Sequence, residues 1–287
     1  MRAFWVNASR PHDDEEAVAL DGKTVRGAAS HQQKGPHLLS VCTHQSQETL
    51  LQVRVCAKTN EIPVAKTLLP GLALCPRVYT ADALHTHAAF MEVVRVCSGS
   101  CVLTVKANQP TLYADLATYF SDPETVIAPF ERDCTVDRRR GRVETRTIEV
   151  SCAMNEYLAP TWPLVRPVAR LTRTVTVRKT GKTTQEVVYL ITDLTQIQAS
   201  PRRLLDLVRG HWSIENGLHY VRDVSFGEDR SRLRTGSAPQ IMAALRNLAI
   251  TLIHRNGSSQ IAAARRHFAS SPREAFTLLL QRRPAQQ

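Results

Sequence analysis

Residues 209–234 read RGHWSIENGLHYVRDVSFGEDRSRLR, and the first half of this stretch has the apolar spacing of an amphipathic helix. On a helical wheel of about 100° per residue, Glu215 falls near the centre of the apolar face, with His211 and Arg222 above and below it and His219 at the flank. A buried carboxylate is costly unless it is paired, protonated or bound to a metal. Glu215 is therefore predicted to form an internal salt bridge, with Arg222 or His211, or to act as a metal ligand or acid–base group. The apolar face of this helix, predicted over 204–221, consists of Leu204, Leu207, Val208, Trp212, Ile214, Leu218 and Val221.

Two aspartates follow short apolar runs that are typical of buried strands. Asp21 comes directly after AVAL (17–20), and Asp82 comes directly after VYTA (78–81). Each aspartate alone is typical of a turn or a cap. If the two strands are parallel neighbours, the carboxylates come side by side, and a core-facing Glu215 would complete an oxygen-rich cluster. Such a cluster suits Mg²⁺ or Mn²⁺ better than zinc.

The first 110 residues predict an α/β fold with the element order βββαβαβ. Three closely spaced apolar runs, rich in Val and Leu, predict an antiparallel meander, which two helices and two further strands follow. This order predicts a mixed sheet with helices on its faces. The predicted strands cover residues 17–27, 37–44, 49–57, 76–82 and 101–110, and the predicted helices cover residues 61–72 and 86–99.

Residues 111–199 differ from the rest of the chain because, after a predicted helix at 111–120, they are β-rich and strongly charged. RRRGR (138–142) and RKTGKT (178–183) supply hairpin turns, and RRRGR is either a solvated hairpin or a phosphate contact. This pattern predicts an insertion before the helix that carries Glu215. The predicted organisation is a lead-in at 1–16, a core domain at 17–110 and 200–257, the insertion at 111–199 and a C-terminal helical tail at 258–287.

The net charge of +11 and the isoelectric point of about 9.7 favour a polyanionic partner, most simply nucleic acid. The sequence has no run of about 18 apolar residues and no signal-peptide pattern, so we expect a cytoplasmic protein without a membrane partner. Seven cysteines, scattered through apolar segments, indicate reduced and buried thiols. The close pair Cys97 and Cys101 lacks the second pair of ligands that a zinc site needs.

Four motifs carry a resemblance to a known family. They are ALDGKTVRGA (19–28), VYTADALHTH (78–87), VKANQP (105–110) and HWSIENGLHYVRDVSFGEDRSRLRTG (211–236). Over about residues 17–257 the chain resembles the H-repeat-associated transposases of bacterial insertion sequences, the ISAs group. The resemblance implies the ribonuclease-H-like fold of DDE recombinases, in which a β-rich insertion precedes the helix that bears the glutamate.

The resemblance implies that Asp21, Asp82 and Glu215 are the catalytic triad and that they hold two Mg²⁺ ions, for which Mn²⁺ would substitute. The expected reaction is the hydrolysis of donor DNA, followed by the joining of the freed 3′ end to target DNA. One ion would activate the attacking group, and the other would stabilise the leaving oxygen.

Six residues in the matched motifs are candidates for DNA contact. Arg222 matches a basic residue seven positions after the glutamate of related enzymes, which implies a phosphate contact, whereas His211 stands where many relatives have arginine. The other four, for which a solvated surface role stays equally open, are Lys23, Arg26, Lys106 and Asn108. Three acid or histidine positions also have two interpretations each: Glu228 and Asp229 as a spare ligand or a solvated turn, and His85 as a ligand or a helix start.

The implied partners are double-stranded DNA, as transposon ends and as target, and by analogy a second copy of the chain in a synaptic homodimer. Such an enzyme would act at the bacterial nucleoid. Relatives carry a further N-terminal region before the first aspartate, so we expect a truncated copy. Two alternatives stay open: a nuclease of the same fold, and a decayed transposase that only binds DNA.

Overall fold

In the computed structural model, residues 16–30, 34–55, 63–65, 69, 77–121 and 130–280 are described. The strands of this part of the chain are β1 (Val18–Thr24), β2 (His37–Thr43), β3 (Thr49–Val55), β4 (Val78–Ala81), β5 (Ser100–Val105), β6 (Glu131–Arg139), β7 (Arg142–Ser151), β8 (Val168–Val177) and β9 (Thr183–Thr192). The α-helices are α1 (Ala88–Val96), α2 (Pro110–Ser121), α3 (Asn155–Leu158), α4 (Pro201–Ser213), α5 (Tyr220–Val224), α6 (Ala238–Arg255), α7 (Ile261–Ser270) and α8 (Pro272–Leu280). A π-helical turn (Ile214–His219) separates α4 from α5, and 3-10 turns cover Arg26–Ala28, Ala83–His85 and Glu228–Arg230.

The chain divides into two compact units, each built from segments that are distant in sequence. Among the described residues, the first unit is built from 21–30, 34–55 and 212–280, and the second from 16–20, 63–65, 69, 77–121 and 130–211. This division differs from the expected core and insertion, because β4 and β5 group with the β-rich segment. The reason is that β5 pairs antiparallel with β9, so the sheet continues into the predicted insertion without a break.

The second unit contains a mixed sheet, as expected. Its strand order is β1-β4-β5-β9-β8-β7-β6, in which β1 contributes its first residues. The pairs β1–β4 and β4–β5 are parallel, and the remaining pairs are antiparallel. Apolar side chains of the insertion strands, such as Ile148, Leu171 and Leu190, share one core with Leu204 and Leu205 of α4. The apolar side of α4 is therefore buried against this sheet.

The hairpins β6–β7 and β8–β9 confirm both turn predictions. Arg139 pairs with Arg142, so Arg140 and Gly141 form a two-residue turn, and their φ angles are +49° and +73°. Two left-handed residues in such a turn are typical of type I′, whose twist matches that of the flanking strands. In the β8–β9 turn the left-handed position is Gly181, with a φ of +66°.

The first unit contains strands in the order β3-β2-β1, and β2 and β3 are antiparallel with a bulge between Val41 and Cys42. Helix α6 packs against β3. At Gly27 the chain passes very close to the turn Glu228–Arg230. A Cβ atom there would lie 2.5 Å from the backbone oxygen of Ser231 and 2.7 Å from that of Glu228, so this position requires glycine.

Several expectations are confirmed only where the chain is described. The predicted helix at 61–72 and the lead-in at 1–16 lie mostly outside the described residues, although 63–65 are helical. The predicted tail is helical through α7 and α8.

The described cysteines are free thiols, but Cys134 is exposed, so the expectation of buried thiols is wrong at that position. In the described part of the chain, no helix has both the length and the hydrophobicity needed to cross a membrane.

Candidate functional site

Asp21 and Asp82 follow residues that pair with each other. In the second unit, Leu20 of β1 pairs with Ala81 of β4 in parallel register, which confirms the parallel pairing expected for these two strands. Asp21 and Asp82 are the next residues along the two chain segments. Asp82 also caps the turn Ala83–His85, because its Oδ1 accepts a hydrogen bond of 3.0 Å from the Leu84 backbone N–H.

Asp21 is in contact with His219 of the π-helical turn. The distance from His219 Nδ1 to Asp21 Oδ2 is 3.2 Å, and the two side chains are 12% and 20% exposed. A donated hydrogen bond from Nδ1 would fix both the ring tautomer and the orientation of the carboxylate. The sequence analysis placed His219 at the flank of the helix face but did not predict this contact with Asp21. The available signal was its place four residues after Glu215, within reach on one helix face.

Glu215 is exposed, so the expectation that it lies on a buried helix face is wrong. Trp212, which was assigned to the same face, is 48% exposed, whereas Ile214 and Leu218 are buried. The physical reason is the π-helical turn, whose i→i+5 hydrogen bonds change the number of residues per turn. A helical wheel of about 100° per residue therefore no longer predicts which side chains are buried after Ser213. Turns of this kind are frequent at functional sites.

Arg222 and Glu228 form an ion pair in which both side chains are 0% exposed. Arg222 Nε donates to the two carboxylate oxygens of Glu228 at 3.2 and 3.0 Å, and Nη2 donates to Oε2 at 2.7 Å. Arg246 approaches the same carboxylate, with Nη1 3.1 Å from Oε1. The expected phosphate contact of Arg222 is thus contradicted, because its guanidinium group is buried against a carboxylate. Of the two interpretations of Glu228, the solvated turn is also wrong, since Glu228 is buried, whereas Asp229 is half-buried.

The ion pair belongs to a larger buried network in the first unit. The side-chain oxygen of Gln52 in β3 accepts hydrogen bonds from Asn247 Nδ2 at 2.8 Å and from Arg222 Nη1 at 3.5 Å. The Gln52 amide nitrogen donates to the Gln240 carbonyl at 3.3 Å. Because a buried polar group without a partner is costly, these contacts fix α5 and α6 relative to β3. Arg222 therefore stabilises the chain segment that directly follows Glu215 and His219.

The remaining candidates for DNA contact in the first unit differ in exposure. Lys23 Nζ lies 2.6 Å from Asp223 Oδ2, and the Lys23 side chain is only 10% exposed. Its charge is therefore neutralised within the protein. Arg26 lies in the turn Arg26–Ala28 and is exposed, so its guanidinium group faces solvent.

In the second unit, Lys106 and Asn108 are exposed, and Asn108 Nδ2 donates to the Ala83 carbonyl at 2.6 Å. His211 is half-buried, and its Nδ1 lies 3.1 Å from Thr80 Oγ1. His85 is buried beside the ring of Phe90, at a centroid distance of 5.3 Å, which favours a packing role over a ligand role. Lys106 is therefore the candidate here whose cationic group is most open to a ligand.

The carboxylates of Asp21, Asp82 and Glu215 supply the hard oxygen ligands that Mg²⁺ prefers, and all three side chains reach solvent at least in part. Their chemistry therefore fits a divalent cation. Among the residues that the structure describes, no group of three or more His, Cys, Asp and Glu side chains is arranged to hold a metal ion.

Comparison with known proteins identifies the family. Residues 12–252 match the family described as "Transposase DDE domain". The "Putative transposase YncI" of Escherichia coli O157:H7 is 29% identical over 254 residues, which are 87% of this chain and 64% of that protein. The "H repeat-associated putative transposase YhhI" of Escherichia coli (strain K12) is 25% identical over 257 residues, 87% of this chain and 67% of that protein. The chain thus spans about two thirds of the length of these relatives.

A solved structure was also found to be similar, at a low level. The cryo-EM structure of the piggyBac transposase synaptic complex with hairpin DNA gives a TM-score of 0.43 and 12% sequence identity, and the match covers 90% of this chain and 48% of that chain. This similarity is too weak to assign the fold.

Proposed function

We propose that this chain, which belongs to the transposase DDE domain family, cleaves DNA at the ends of an insertion sequence and joins the freed ends to target DNA. The proposal includes a ribonuclease-H-like core. The contact between Asp21 and His219 carries the proposal. It connects a carboxylate of β1 with the helical segment that bears Glu215, which is the association that a DDE enzyme needs.

We assign the catalytic carboxylates as Asp21, Asp82 and Glu215. The parallel register of Leu20 with Ala81 supports the first two, because the aspartates follow these residues directly. The three carboxylates would hold Mg²⁺, with Mn²⁺ as a substitute. Bound metal ions of this kind supply an activated nucleophile and charge stabilisation at the leaving oxygen.

The residues around the carboxylates would prepare the site in distinct ways. His219 holds the Asp21 carboxylate in one orientation through its Nδ1 atom. Arg26, Lys106, Asn108 and His211 remain proposed DNA contacts, whereas the ion pair with Asp223 gives Lys23 a structural role. Arg222 has a structural role and does not contact DNA, because its buried pair with Glu228 holds the segment beside Glu215 in place.

The partner in this proposal is double-stranded DNA, and pairing of two element ends would require two copies of the chain. The named relatives are themselves described only as putative transposases or by association with the H repeat. This chain spans 64% of YncI. The carboxylates account for the proposed chemistry, and they do not by themselves account for recognition of the element ends.

A nicking and strand-transfer assay tests the proposal. The substrate is a labelled duplex that carries one end of the insertion sequence encoding the chain, incubated with Mg²⁺ and a target plasmid. Wild-type protein is expected to nick the labelled duplex and to join it to the plasmid. Glu215→Gln removes one ligand charge and is expected to lower the rate by about 100-fold or more.

Glu92→Gln is the matched control, since Glu92 is an exposed acid of α1 paired with Arg95. It is expected to keep the wild-type rate. Equal activity of wild type and Glu215→Gln would reject the assigned glutamate. Nicking without joining would identify a nuclease, and binding without any cleavage in Mg²⁺ or Mn²⁺ would identify a DNA-binding remnant.

A further inference from the structure

The two hairpin ends of the second unit carry a concentration of exposed positive charge. We refer to residues 138–142 and 178–182 together as the twin hairpin tip. Four arginines of the first hairpin, together with Arg178, Lys179 and Lys182 of the second, are all exposed. Among the described residues, none of these seven cations takes part in an ion pair.

The two hairpin ends form one surface. Strands β7 and β8 are antiparallel neighbours, with Arg142 paired to Val177. A backbone hydrogen bond of 2.9 Å from Arg178 N–H to the Gly141 carbonyl joins the two turns directly. The left-handed turn residues Arg140 and Gly141 fix the shape of the first tip, so its arginines project from a rigid backbone.

The acidic residues of the same sheet do not offset this charge, because arginines of the strands already pair with them. Arg146 lies 2.9 Å from Asp137 and 2.6 Å from Glu144. Further along the strands, Arg132 and Arg170 both pair with Glu149. The strand bodies therefore carry no excess of positive charge, and the exposed positive charge of this sheet is concentrated at the tip.

We propose that the twin hairpin tip binds the phosphate backbone of double-stranded DNA as a sequence-independent contact. The choice of DNA as the polyanion rests on the proposed function. The tip is four strands wide, or about 14 Å between the outer strands, which exceeds the two-stranded ribbon that the major groove admits. A surface of this width lies across the groove and contacts phosphates rather than base edges.

The composition of the tip favours duplex DNA over a single strand. Single-stranded nucleic acid is bound through aromatic side chains on which bases stack. The tip sequences RRRGR and RKTGK contain no aromatic residue. Long, flexible cationic side chains on a rigid backbone suit the regular rows of phosphates on a duplex.

The test is a binding measurement without catalysis, so that it stands apart from the proposed reaction. The affinity of the full chain for a labelled duplex of arbitrary sequence is measured in EDTA over a range of NaCl concentrations. The tip variant carries Arg140→Gln, Arg178→Gln and Lys179→Gln. If each cation contacts one phosphate, the slope of log K against log salt is expected to become shallower by about 2 to 3.

A control variant removes three exposed arginines from other surfaces, through Arg95→Gln, Arg266→Gln and Arg273→Gln. Its slope is expected to stay within about 1 of the wild-type slope. Both variants are expected to keep the wild-type melting temperature, because none of the six side chains is buried.

An unchanged slope for the tip variant, or an equal change in both variants, would overturn the proposal. Binding to vesicles that contain phosphatidylserine is measured in parallel. A loss of vesicle binding without a loss of duplex binding would also overturn it, because the tip would then be a membrane contact. None of these outcomes depends on cleavage, so a failure of the tip proposal is distinguishable from a failure of the catalytic one.

Discussion

Arginine serves opposite purposes in the two units of this protein. In the first unit, Arg222 is 0% exposed and is enclosed with Glu228 in a buried network. In the second unit, the arginines of the insertion strands lie on a partly solvated sheet face, where Arg132 is 63% exposed in its pair with Glu149. Both pairs have short contacts, 2.7 Å for the first and 2.8 Å for the second.

The difference between these pairs is one of desolvation. Arg132 is exposed and keeps most of its hydration, and the buried carboxylate of Glu149 has a second partner in Arg170, so little is gained or lost when the contact with Arg132 forms or breaks. A buried charge is not hydrated when its partner is lost, so it depends on that partner for nearly all its stabilisation. The contact distances alone would suggest equal importance, whereas burial predicts very different consequences of mutation.

The largest effect is expected when the buried pair is broken. Arg222→Met removes the cation and leaves Glu228 with Arg246 as its charged partner. Loss of one partner from a buried pair typically costs about 3–5 kcal/mol of the free energy of unfolding. Denaturant unfolding followed by circular dichroism measures this change.

The double variant Arg222→Met with Glu228→Leu is the control for this prediction. It removes both charges together, so it is expected to recover much of the stability that the single variant loses. If the single variant were as stable as wild type, Arg222 could not be holding the segment beside Glu215. The proposed structural role would then be abandoned in favour of the original phosphate contact.

Much of the second unit could be predicted from sequence because its signals are local. RRRGR contains the residues that a two-residue hairpin turn requires, and the turn forms at Arg140 and Gly141. The apolar runs before Asp21 and Asp82 predicted two strands, whose parallel pairing the structure confirms. What the sequence did not indicate is that β5 pairs with β9, since this contact joins residues far apart in the chain.

The candidate site was less predictable, for two physical reasons. The change from α-helical to π-helical hydrogen bonding at Ile214–His219 leaves no clear mark in composition, so Glu215 was assigned to the wrong helix face. The partner of Arg222 lies beyond the helix in a turn rich in polar residues, which on pattern alone resembles a solvated loop. Burial of Glu228 depends on Arg222, Arg246 and the close approach of Gly27, which are tertiary contacts.

An intermediate effect is expected at Gly27, the residue that lets the chain pass close to the turn bearing Glu228. In Gly27→Ala the new Cβ would meet backbone oxygens at 2.5–2.7 Å, and backbone atoms cannot rotate away. Overpacking of this kind costs about 1–3 kcal/mol, which thermal unfolding would detect as a lower Tm. Gly217→Ala is the matched comparison, because the three atoms nearest its Cβ all belong to the end of the Gln47 side chain, which can move. Equal losses in both variants would show that the backbone contact at Gly27 has no special importance.

The smallest effect is expected for Arg132, the exposed partner of the buried carboxylate Glu149 in the insertion. In Arg132→Gln, Glu149 keeps its second partner, since Arg170 Nη2 lies 2.5 Å from Oε2. Because the Arg132 side chain is 63% exposed, its contribution is expected to resemble that of an exposed ion pair, about 0.2–1 kcal/mol, and salt screens it over a Debye length of about 10 Å at 0.1 M. The stability difference from wild type is therefore expected to be below about 1 kcal/mol and to shrink further in 0.5 M NaCl. The loss caused by Arg222→Met should persist in the same salt, because ions do not reach the buried pair. A large, salt-resistant loss for Arg132→Gln would mean that the exposure of the arginine is not what separates the two pairs.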